Sequence, residues 1–500
     1  MSRSALKLFS IAVLWGLARP LNGQDTNHLW LNNVRVVYYQ IISLRLTEAQ
    51  AGLQQLHQCG TPPPVIYLLA SYADFVRAMV DEQSVSIKYF HQKTERYIEA
   101  LQHLSPSSPW TQYAEAEIRF QRAVLQAKTG AYFAAARQIW RVCSLLEENR
   151  RRFPHFALNQ KSLAFIQAFM GALPEEFRWA STWLSGLVGS VTEGVGKLER
   201  LLAASSAEVR LFEEEIRLVI AFLRLNLLED RQGAWQVLQC PGLDARQNPL
   251  AAYSLAVVAG RLGRNDEAIR LLEACPDGAP FYPFWQRYYL LGVLKMNRLD
   301  ADADQPLRCF VRHFCGETGR WDACRKIAWY YLLHGDTLSY RMWMARIAAA
   351  KHPQTEQDRA AYYEARSEAI PNCTLLRARL LFDGGYFLRA YDILSRQPAS
   401  SYSGEHYLEY VYRRARLAQA LQRLNEAEYY YRQTLEYGRY SPLYYACYAA
   451  LQLGVLCENA RRCAEAKKYY YLCLRIRPHM YRLSLHAKAK AALARMQKKC

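Results

Sequence analysis

Cys309, His313, Cys315 and Cys324 come closest, by type and proximity, to a metal-ligand set. Cys309 and His313 stand four apart and share a face if the stretch is helical. A zinc site normally shows paired Cys-x-x-Cys spacing, and none is present here. Three readings therefore stay open: zinc, a disulfide among these cysteines, or close packing of small buried side chains. A phosphate loop needs backbone N–H groups freed by glycine, then a lysine with a hydroxyl neighbour. Gly194-Val195-Gly196-Lys197 imitates it, but Val191 stands at the first glycine position and Leu198 replaces the hydroxyl. A helix–helix corner is the expected structure there. Neither His-Glu-x-x-His nor Gly-x-Ser-x-Gly occurs, and the 11 His are scattered. Carboxylate runs such as Glu213-Glu214-Glu215 are expected to be solvated helix faces. No catalytic residue, metal or cofactor is assigned, and the chain reads as a non-enzyme.

Cysteine and tyrosine add two further patterns. Cys457 and Cys463 flank a turn between helices, where a bridge could close in an oxidising compartment. Cys473 falls at a small packing position. The 13 Cys are an odd number, so one thiol stays free or pairs between molecules, and the terminal Cys500 is the candidate. Among the 35 Tyr, runs occur at 429–431 and 469–471. Successive helical residues point about 100° apart, so not all three can face one core. Tyr431 and Tyr470 are expected inside, with their neighbours bridging repeats or forming an aromatic recognition surface.

These residues must be carried by helices. The chain has 500 residues, 51% of them apolar, with average Gly and Pro, which excludes global disorder and collagen-like order. Lys and Arg number 64 against 45 Asp and Glu, a net charge of +19. Arg3 and Lys7, an apolar run at 8–17, then Pro20, Asn22 and Gly23 have the layout of a secretory signal peptide over residues 1–23. Its removal would lower the charge to +16. An uncleaved N-terminal helix on an intracellular adaptor is the alternative. No later stretch reaches the roughly 18 apolar residues of a membrane span. Residues 29–56 and 65–104 carry apolar residues at three- and four-residue intervals, broken by Pro62, Pro63 and Pro64. Residues 105–109 read as a turn, and no β-period run appears.

A repeat emerges on aligning Leu453-Gly454, then Ala466, Tyr470, Cys473 and Pro478. Two helices cross closely only where the contact residues are small. The first-helix small residue recurs as Ala256, Gly292, Ala328, Ala378, Ala415 and Gly454, at spacings of 36, 36, 50, 37 and 39. The second-helix one recurs as Ala268, Ala390, Ala427 and Ala466. Turn glycines fall at Gly263, Gly335 and Gly385, where a left-handed backbone reverses the pair. The long gap holds an added helix over 355–368. Asp304 and Tyr340 break the pattern and imply altered crossings or a one-residue slip. An earlier unit surrounds Ala123, Gly130 and Ala135.

Six units in register resemble the tetratricopeptide repeat. That resemblance implies an all-α solenoid of antiparallel helix pairs wound as a right-handed superhelix. Residues 165–202, with an apolar segment, Leu173-Pro174, a second apolar segment and Gly194, resemble the inclusion-body clearance proteins of the thirty-ninth tetratricopeptide subfamily. The overall layout resembles exported tetratricopeptide proteins of Gram-negative bacteria, which implies the periplasm. The expected organisation is a signal peptide at 1–23, an irregular helical region at 24–210, and repeats at 211–500 continuous with it.

In the tetratricopeptide frame, residues one after and three before the first-helix small residue face the groove. Here they are Arg379, Arg416 and Val455, with Leu375, Tyr412 and Leu451. Two Arg and a Tyr on adjacent repeats suit an acidic or carboxylate-ended protein or peptide partner. Carboxylate-clamp relatives use Lys and Asn there, and the Asn are missing. Internal salt bridges of both Arg are the alternative. The basic residues read as dispersed, with short clusters at 150–152 and 488–499, so nucleic acid is not the expected partner. The expected function is an exported, non-enzymatic binding scaffold. The competing function is an enzyme or small-ligand binder with a pocket in 160–205.

Overall fold

The computed structural model describes residues 29–172, 189–204, 206–240, 242–350, 355–367 and 369–497. The proposed signal segment, Cys500 and residues 173–188 lie outside them. Among the described residues every regular element is a helix.

The first half begins with α1 (Leu29–Ile42), α2 (Leu46–Gln58), α3 (Pro63–Asp81), α4 (Ser84–Gln102), α5 (Pro109–Lys128) and α6 (Tyr132–Arg152). Then come α7 (Asn159–Met170), α8 (Val191–Ala204), α9 (Ala207–Leu211), α10 (Glu213–Asn226) and α11 (Arg231–Leu238). Each apolar stretch seen in sequence is a helical pair. Leu44 and Glu82 take the left-handed backbone at the reversals. Pro63 starts α3, where its missing N–H costs nothing. Ser108, in the expected turn, caps α5 by accepting from Trp110 N. The early unit is the α5–α6 pair, turning at Gly130.

The repeats follow as α12 (Pro249–Arg261), α13 (Asn265–Glu273), α14 (Gln286–Arg298), α15 (Asp304–His313), α16 (Arg320–Leu333) and α17 (Thr337–Ala348). Next are α18 (Glu356–Arg366), α19 (Cys373–Asp383), α20 (Phe387–Ser395), α21 (Gly404–Ala420), α22 (Leu424–Gly438), α23 (Tyr445–Asn459), α24 (Cys463–Arg475) and α25 (Arg482–Gln497). All ten small repeat positions are buried. A Cβ on Gly454 would overlap the Tyr470 ring, sixteen residues on. At Gly292 the overlap is with Leu307, fifteen residues on. This is the one-residue slip that Asp304 implied. Helix α18 is the expected insertion.

The stack does not extend as a straight rod. Helix α14 packs against both α16 and α19, so the later pairs fold back on the earlier ones. The turns at Gly263 and Gly385 meet backbone to backbone, since a Cβ on Gly385 would lie 2.5 Å from the Gly263 carbonyl oxygen. Asn265 Nδ2 donates to Tyr386 Oη at 3.1 Å beside this contact. At the far end, Lys488 on α25 pairs with Glu229 before α11 at 2.7 Å.

Candidate functional site

The fold-back encloses a cavity of about 390 Å³ between α16, α18 and α19 on one side and α21, the start of α23 and residues 479–481 on the other. Arg325, Trp329, Leu376, Arg379, Tyr444 and Tyr481 are among its walls. That volume lies in the range of ligand pockets.

The groove positions expected from sequence divide in two. Arg379, Arg416 and Val455 are half-buried and reach the surface. Leu375, Tyr412 and Leu451 are buried, so they support the helices from behind and are closed to a partner. Helical geometry explains the split, because residues four apart lie about 40° off register around the axis. The Arg379 guanidinium carbon lies 4.8 Å from the Trp329 ring centre. That of Arg416 lies 3.9 Å from the Phe382 centre, with Tyr412 and Tyr448 at 5.7 and 5.5 Å. Neither side chain enters an ion pair among the described residues, so internal salt bridges do not explain them. Arg325 does pair, with Asp322 and with Glu364 at 3.2 Å. Burial opposes ionisation of Asp322, yet Lys326 and Arg325 hold its carboxyl well below the usual range.

Sequence reasoning missed Arg325 and Trp329. The signal was present: they stand three before and one after Ala328, in the same frame one unit upstream.

A second constellation, also missed, is wholly buried in the first half. Lys161 Nζ on α7 lies 2.9 Å from both Glu117 Oε2 on α5 and Glu215 Oε1 on α10. Tyr38 Oη donates to Glu215 at 2.6 Å, Tyr72 Oη to the same carboxylate at 3.1 Å, and Ser162 to Glu117. Burial pushes the Glu215 carboxyl above its ordinary value despite the pull of Lys161. Burial also opposes charge on Lys161, but Glu117 and Glu215 outweigh it and its shift is upward. The expectation that 213–215 is a solvated face is therefore corrected. Glu215 holds this network, and Glu214 is buried 3.7 Å from Arg35. Isolated buried charge is costly, so such groups survive only with partners.

The cysteine readings also change. Cys309, Cys315 and Cys324 are free thiols, so the disulfide reading fails for them. Cys309 Sγ is 3.7 Å from His313 Nδ1, Cys324 is buried in the core, and no metal-ligand cluster forms among the described residues. Cys457 is also free, so no bridge joins it to Cys463, which is disulfide-bonded elsewhere. Cys473 is core, as expected. In the 160–205 region Gly194 lies inside α8, and a Cβ there would overlap Ala168 of α7. Lys197 donates to Gln167 at 2.7 Å. The described part of that region holds this close helix contact, and none of its residues lines the cavity above.

The fold defines an all-α solenoid of tetratricopeptide-like helix pairs. No protein-family model matches the chain, and no curated protein matches it in sequence. Similar solved structures include a Rap protein complexed with competence and sporulation factor, at 11% identity and TM-score 0.28, covering 82% of this chain and 98% of that one. Another is IFIT1 with Gppp-AAAA, at 14% and 0.28, covering 91% and 82%. Yeast Tom70 matches at 12% and 0.24, covering 94% and 90%. At those scores they share helical architecture and carry no argument about function.

Proposed function

We propose that the chain is a non-enzymatic helical-repeat scaffold that holds an acidic segment of a protein partner along its inner first-helix face. One observation carries this reading. Arg379 and Arg416, on consecutive repeats, are cations with no ion pair among the described residues, each held over an aromatic ring, and Arg379 lines a ligand-sized cavity. Guanidinium forks suit carboxylates, and rings fix their direction in advance, which lowers the ordering cost of binding. The layout of residues 1–23 supports export, and the resemblance to exported relatives supports the periplasm as its place of action.

The test is affinity capture from envelope fractions with the wild-type chain and with the Arg379→Glu, Arg416→Glu double variant. Partners should be lost while the double variant stays folded, with only the modest drop in melting temperature expected from losing the two ring contacts. Equal recovery by the double variant would sink the groove assignment. N-terminal sequencing of the mature protein, starting at Gln24, checks export.

A further inference from the structure

The chain's charge is concentrated at its end. Residues 461–500 contain twelve Lys or Arg and a single acid, Glu465, a net +11 of the total +19. This corrects the dispersed distribution expected above. The residues before α23 and those before α25 form two loops joined where His479 N donates to Pro442 O at 3.0 Å. Tyr444 and Tyr481 of these loops line the cavity. Beside them Arg439, Arg475, Arg477 and Arg482 are all exposed, and none has an ion partner among the described residues. Tyr440 is 90% exposed, the highest value among the large apolar side chains, and the Arg439 guanidinium lies 5.6 Å from its ring centre. Leu483, next to Arg482, is also exposed.

We propose that this edge docks on an anionic phospholipid surface. Four guanidiniums would meet lipid phosphates, for which the fork geometry is suited. Tyr440 and Leu483 would enter the interfacial layer, where an amphipathic ring and an aliphatic side chain gain by leaving water. A single-stranded nucleic acid fits less well. Its sites are grooves that track a backbone with stacked rings. Here the exposed arginines flank two joined loops, and Leu483 offers no stacking face. Like charges repel each other, and an anionic surface offsets that repulsion.

The full chain is tested by co-sedimentation with phosphatidylcholine vesicles, with and without phosphatidylglycerol. Binding should require the anionic lipid and fall as salt rises. The triple variant Arg475→Glu, Arg477→Glu, Arg482→Glu should weaken it by about 100-fold or more, since each basic residue near the surface contributes about 1 kcal/mol, roughly a fivefold factor. Tyr440→Ala leaves charge unchanged and should weaken it about 3- to 10-fold. Unchanged melting temperatures establish that the variants fold, and Arg151→Glu, a charge reversal at an exposed position of α6, should bind vesicles as wild type does. Equal binding to neutral vesicles overturns the proposal. So does undiminished binding by the folded triple variant, or tighter binding of a single-stranded oligonucleotide than of anionic vesicles.

Discussion

Arg379 on α19 sits over Trp329 on α16, its guanidinium carbon 4.8 Å from the ring centre. The contact joins two repeats, and Arg379 makes no close ion pair among the described residues, the Asp383 carboxylate acting on it only from a distance. Arg379→Lys keeps the charge and loses the planar stack, while Arg379→Gln loses both. Stability should fall by about 0.5–2 kcal/mol in either case. Affinity for a captured acidic partner should fall more in the glutamine variant, by about 1.5–3 kcal/mol for lost charge-assisted bonds. Fluorescence polarisation with that partner separates the two, and equal affinities for Lys and Gln would remove the cation from recognition.

Lys161 bridges two buried carboxylates at once. Lys161→Met leaves Glu117 and Glu215 uncompensated and should cost about 3–5 kcal/mol, read by urea denaturation. Replacing all three, with Glu117→Leu and Glu215→Leu added, should restore much of the loss, because an apolar set needs no partner. A Lys161→Met variant as stable as the wild type would contradict the network.

The raised Glu215 carboxyl also sets a pH dependence. Its folded form holds a proton more tightly than the unfolded chain does. Its contribution is fully present below the ordinary glutamate value of about 4.3, and is lost as pH rises from there through the folded value. Wild type should therefore lose melting temperature relative to Glu215→Gln as pH is raised over that window. A constant difference between the two curves would rule this linkage out.

Two glycines test the packing directly. Gly454→Ala places a methyl into the Tyr470 ring and should destabilise by about 1–3 kcal/mol. Gly196→Ala, within α8 and with nothing within 4 Å of the new Cβ, should stabilise by about 0.4–1 kcal/mol. Thermal melts of both variants decide, and equal shifts would refute the crossing geometry.

Much of the repeat architecture was legible because small residues at a helix crossing leave a periodic trace. Ala256 through Gly454 mark it, and even the slip at Leu307 was foreshadowed by Asp304. The burial of the six chosen positions was not legible: Arg379, Arg416 and Val455 stay half-buried, while Leu375, Tyr412 and Leu451 turn inward by the residual rotation of a helix. The Lys161 network left no linear signal, since Glu117, Lys161 and Glu215 come from three helices far apart in sequence. A local reading of 213–215 sees only charge, and burial is decided by elements that charge does not reveal. The fold-back was hidden for the same reason: spacing reports neighbours in the stack and is silent on units that meet across a turn of it.

The meeting of Gly263 and Gly385 changes how this chain must fold. An open solenoid folds almost as a one-dimensional lattice, with each unit answering only to its neighbours, so ends fray and partial stacks persist. Here a turn closes on another more than a hundred residues away. That closure raises the contact order, slows the search, and ties the middle repeats into one cooperative transition. The repeats are modular in sequence, yet removing a unit between these two turns would break a contact that neighbouring units do not make.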